Sequence, residues 1–89
     1  MTLREAAEKM APVFDGQIVK VEVVEVCYLA VSADDEAWSA YLHVKPRDRR
    51  RAPVEMGESG ETRGEALANL VEQAPMWARV HCIERKDQP

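Results

Sequence analysis

Long hydrophobic runs are missing from this chain, and so are recognisable catalytic and metal-binding motifs. No stretch approaches the ~20 consecutive apolar residues needed to cross a bilayer. The start, Met1-Thr2-Leu3-Arg4-Glu5, has no basic segment followed by an apolar one, so the sequence reads as neither membrane-inserted nor secreted. Cysteine is limited to Cys27 and Cys82, each inside an apolar strand-like run, which is the setting of a small buried thiol in a reducing cytoplasm. The two histidines, His43 and His81, have no neighbours at metal-ligand spacing, and Asp34-Asp35-Glu36 lacks the spacing of a calcium loop. No metal and no cofactor are expected. Linkers, internal repeats and low-complexity segments are also lacking, so residues 1–89 are read as one domain.

What is present is ordinary in amount and uneven in placement. A hydrophobic share of 46% with 31% charged residues is that of a folded globule, and 89 residues suffice for one core. The net charge of −4 conceals a strong segregation. Residues 45–51 hold five bases (Lys45, Arg47, Arg49, Arg50, Arg51) and one acid, a local +4, while the remainder carries −8. The expected molecule is an acidic body with one basic projection.

Thr2 with Glu5 forms a capping-box pattern, and Leu3, Ala6, Ala7, Met10 and Ala11 follow at helical spacing, so a first helix is predicted from about residue 3 until Pro12 stops it. Gln17 to Ser32 is Val-rich and suits one bent strand or two; beyond Val24 both faces become apolar around Glu25, so either the strand bends through a bulge there or its second half is covered on both sides. The acidic triplet Asp34-Asp35-Glu36 then makes a hairpin tip. Trp38, Ala40, Leu42 and Val44 alternate with Ser39, Tyr41, His43 and Lys45 in a second strand. Pro46 and Pro53 bracket a loop, Val54–Met56 reads as a short third strand, and Gly57–Gly60 as a turn. Thr62 and Glu65 open a second helix, with Ala66, Leu67, Leu70, Val71 and Ala74 on one stripe and Pro75 as its end. Met76 to Ile83 reads as a fourth strand and residues 84–89 as a frayed tail. The fold class is therefore α+β in the order α-β-β-β-α-β: an antiparallel sheet of three or four strands with both helices packed on one face.

The segment Gly60-Glu61-Thr62-Arg63-Gly64-Glu65-Ala66-Leu67-Ala68-Asn69-Leu70 resembles the helix start of the HicB-like antitoxin domain, and the strand order around residues 54–83 suits that family. The resemblance implies a protein partner and a toxin-neutralising role. Where HicB-like chains carry a Pro-Glu-Leu-Pro-Gly-Cys type of passage, this one has the basic run from Lys45 to Pro53. The α-β-β-β-α portion is also similar in order to a double-stranded-RNA-binding domain, although Glu61 and Glu65 stand where that family places phosphate-gripping bases.

The candidate binding residues are Lys45, Arg47, Arg49, Arg50 and Arg51, whose guanidinium forks suit carboxylate or phosphate, together with Tyr41 and Trp77 as an aromatic pair on the uncovered sheet face. Trp38 is expected in the core. The sequence reads as a non-enzymatic cytoplasmic protein-binding module, an adaptor, inhibitor or antitoxin-like domain, with homodimerisation through the sheet face or edge as a further expectation. The alternatives are a nucleic-acid-binding domain using the same arginines and a small nuclease or hydrolase built on His43.

Overall fold

A computed structural model describes residues 1–27 and 36–86. Helix α1 (Leu3–Met10) opens where Thr2 Oγ1 accepts from the Glu5 amide at 3.1 Å, and it passes into a single 3₁₀ turn, Ala11–Val13, at Pro12. Strands β1 (Gly16–Cys27), β2 (Glu36–Pro46) and β3 (Val54–Gly60) form an antiparallel sheet in the order β1-β2-β3. Helix α2 (Arg63–Val80) is capped by Thr62, which accepts from the Glu65 amide, while Glu65 Oε2 accepts from the Glu61 amide. Among the described residues no helix is long and apolar enough to cross a membrane.

The α+β class and the helix-covered antiparallel sheet agree with the sequence reading. Ala40, Leu42, Val44 and Met56 on one sheet face, Phe14 from the turn, Ala6 and Met10 from α1, and Leu67, Leu70, Ala74 and Ala78 from α2 make a single buried cluster. Trp38 packs half-buried against its margin.

Four local expectations are corrected. First, the bulge lies between Ile18 and Lys20 instead of near Glu25. The extra residue, Val19, is turned out at 63% exposed, which brings Ile18 onto the core face with Val21 and Val23. Second, β3 continues to Gly60 in place of the expected turn, with Gly57 opposite Tyr41 and Gly60 opposite Trp38. Third, Pro75 does not end α2, and the segment expected as a fourth strand from Met76 continues the helix to Val80. The stripe Leu67, Leu70, Ala74, Ala78 keeps helical spacing straight across the proline. Interior Pro costs about 3 kcal/mol in a helix, and here the ring sits on the exposed side while Ala74 and Ala78 stay in the core. Val80, which a strand would have placed beside Ala78, is 61% exposed. Fourth, the segment after α2 is held at Glu84 and Arg85: Glu84 bridges Phe14, and the Arg85 amide donates to Val13 O at 3.0 Å. The expected strand from Tyr28 to Ser32, the tip at Asp34-Asp35 and residues 87–89 lie outside the described residues.

The end of α2 is a Schellman turn: the Ile83 amide donates to Ala78 O and the Cys82 amide to Arg79 O. It requires a left-handed residue, and Cys82 fills that position at φ 56°, exposed and free. The expected buried strand cysteine is thus a surface residue. Cys82→Gly removes the Cβ conflict and is expected to stabilise the fold by about 0.5–1 kcal/mol. Chemical denaturation measures this, and an unchanged or lowered midpoint would contradict the turn geometry.

Candidate functional site: a basic groove at one end of the sheet

Pro46 closes β2 opposite Gly16, so the chain that follows, residues 47–53, turns over the end of the sheet where β1 begins. Asp48 shapes the turn. Its Oδ1 accepts from the Arg50 amide at 3.0 Å and from Arg50 Nε at 3.3 Å, and these bonds, backbone first, hold its carboxyl below the ordinary range. The Arg51 amide donates to Asp48 O.

The five predicted bases separate into different roles. Arg51 points inward: Nη2 donates to His81 O at 2.7 Å and Nη1 to Cys82 O at 3.3 Å, so its fork caps the carbonyl end of α2. Lys45 Nζ donates to Arg51 O, which fixes the loop's other limb. The Arg47 amide donates to Asp15 O, and its guanidinium, 81% exposed, lies 3.8 Å from Asp15 Oδ1. Arg50, tied to Asp48, projects into solvent, and Arg49 is exposed.

Lys45, Arg47 and Arg49 meet Arg85 around a groove of about 410 Å³ lined also by Asp15, Gly16, Gln17 and Pro46. Among the described residues that line it, four are cations and one is a carboxylate. The groove unites residues from β1, β2, the loop and the segment after α2. Sequence reading missed Arg85, which belongs to the groove because the bridge at Phe14 draws its segment back to the start of β1. No spacing pattern in the chain signals that approach.

Tyr41 and Trp77 do not share a surface. Tyr41 alternates with buried Ala40 and Leu42 and lies on the uncovered face, its ring so close to Gly57 that a Cβ there would stand 2.9 Å from Cδ1. Trp77 is carried by α2 on the other side of the sheet. Its Nε1 donates to Glu58 Oε1 at 2.9 Å and its ring stacks on His81 with centroids 5.9 Å apart. The expected platform of these two aromatic rings is not formed.

His43 also lies on the uncovered face. Its Nε2 is 3.2 Å from Glu22 Oε1 and its Nδ1 is 3.8 Å from Glu55 Oε2, while Lys20 Nζ reaches Glu22 Oε2 at 3.2 Å. An ionised carboxylate only accepts, so Nε2 donates to Glu22. That bond, followed by the one from Lys20, holds the Glu22 carboxyl below its usual value. His43 is therefore a member of a cross-strand charge ladder. No group of three or more potential ligands is gathered for a metal among the described residues.

Comparison with protein-family models, curated proteins and solved structures finds no match to this chain.

Proposed function

We propose that the protein is a small binding module that presents the groove of Lys45, Arg47, Arg49 and Arg85 to an acidic surface of a protein partner. The observation carrying this reading is the convergence of four cations, from segments distant in sequence, on one concavity of an otherwise acidic chain. Guanidinium forks favour planar carboxylates, and a cleft lined by one sign of charge focuses its field on an approaching opposite charge. The likeness of Gly60–Leu70 to a HicB-like helix start points the same way, toward a protein partner. A nucleic acid fits less well, because the acidic body repels a long phosphate chain and α2 begins beside Glu61 and Glu65.

The test is binding of a labelled glutamate-rich peptide to the charge-reversed variant Arg47→Glu/Arg49→Glu. Exposed ion pairs contribute roughly 0.2–1 kcal/mol each, and reversal replaces each attraction with a repulsion, so the affinity should fall about 10- to 30-fold. Arg50→Glu, outside the groove, should stay within about twofold. Equal weakening by both variants would point to unlocalised charge, and no weakening would end the proposal. Tighter, steeply salt-dependent binding of duplex or single-stranded nucleic acid would transfer the groove to the alternative reading.

A further inference from the structure

The groove shares two lining residues with a second feature. Gly16 and Gln17, which line it, are the first residues of β1, and β1 is an edge of the sheet: it pairs with β2 on one side and with no other strand among the described residues. Along this strand Gln17, Val19, Lys20, Val24 and Glu25 are exposed, Val19 at 63% and Val24 at 39%. An edge strand presents a row of amide and carbonyl groups able to pair with an added chain. The opposite edge, β3, carries Glu55 and Glu58, with Trp77 of α2 bonded to the latter.

Resting on the groove reading, we infer that the occupant is an extended acidic peptide segment that adds to the free edge of β1 as a fourth strand, antiparallel, with its C-terminal carboxylates in the basic groove. Direction follows from geometry. β1 runs away from the groove, so a strand antiparallel to it arrives at Gly16 with its C-terminal end, where the cations stand. Charge selects the occupant: carboxylates at the C-terminal end meet Arg47, Arg49 and Arg85. Main-chain hydrogen bonds supply affinity and the side-chain pockets supply specificity in such strand addition. The bulge between Ile18 and Lys20 breaks the regular register that two β1 edges would need to pair with each other.

Three labelled peptides of equal composition test this against the full-length protein. The first has alternating valine and threonine followed by three glutamates at its C-terminus, the second has the glutamates at its N-terminus, and the third is the first with alternate backbone amides N-methylated. The first should bind, the second at least fivefold more weakly, and the third at least tenfold more weakly, because methylation removes ladder donors and keeps every charge. The first should also slow hydrogen exchange in β1 more than in β3. If the N-methylated peptide binds within twofold of the first while Arg47→Glu/Arg49→Glu still weakens both, strand addition is wrong and the groove stands. If the charge reversal has no effect, both fall. A single-stranded oligonucleotide that displaces the first peptide at lower concentration also overturns the inference.

Discussion

Replacing Gly60 with alanine should destabilise the domain by about 3 kcal/mol, the upper part of the range for forcing an atom into a packed contact. Gly60 ends β3 where α2 begins to fold back over the sheet. A Cβ at this position would stand 2.6 Å from the Ala66 amide nitrogen and 2.9 Å from the Glu65 carbonyl carbon. These are backbone atoms of the first turn of α2, and they cannot yield without lifting the helix off Leu67 and Leu70, both fully buried. For a domain of this size the loss corresponds to a fall in Tm of roughly 15 °C. A thermal midpoint within about 3 °C of the wild type would mean that α2 does not lie so close to the strand.

Arg51→Ala should lower stability by about 2 kcal/mol, since two charge-assisted bonds to the end carbonyls of α2 disappear and a favourable charge leaves the negative pole of the helix. The His81 and Cys82 carbonyls lose their donor. Arg51→Lys should recover only part of the loss, because an ammonium cannot span both oxygens as a planar fork does. Arg49→Ala, a few residues away and exposed, should change stability by less than about 0.5 kcal/mol. Equal effects of Arg49→Ala and Arg51→Ala in urea denaturation would contradict the division of the arginines into one helix cap and several that line the groove or face solvent.

The parts of the fold written in the chain's local chemistry were legible from it. Thr2 and Thr62 cap as their spacing to Glu5 and Glu65 indicates, and β2 buries Ala40, Leu42 and Val44 at period two. The errors arose where two local signals compete and tertiary packing decides. Pro75 is a strong helix stop by itself, and the stretch Ala78, Val80, Cys82 alternates well enough to suggest a strand. The core contacts of Ala74 and Ala78 outweigh both signals. Gly57 and Gly60 look like turn residues because sequence does not show that Tyr41 covers one and α2 approaches the other.

The candidate site divides in the same way. The run from Lys45 to Arg51 is visible as a charge cluster, but charge alone does not reveal that Arg51 faces the end of a helix while Arg47 faces a groove. Arg85 joins through a long-range bridge, and Tyr41 and Trp77 part company because Trp77 belongs to a helix instead of a strand.

The most direct measurement is a titration of isotopically labelled protein with the C-terminally acidic peptide, followed by amide chemical shifts. Shifts concentrated at Asp15, Gly16, Gln17, Arg47, Arg49 and Arg85, extending along β1, are the predicted result. Shifts confined to the uncovered face around Tyr41, His43 and Glu55, or none at saturating peptide, would contradict recognition at the basic end of the sheet.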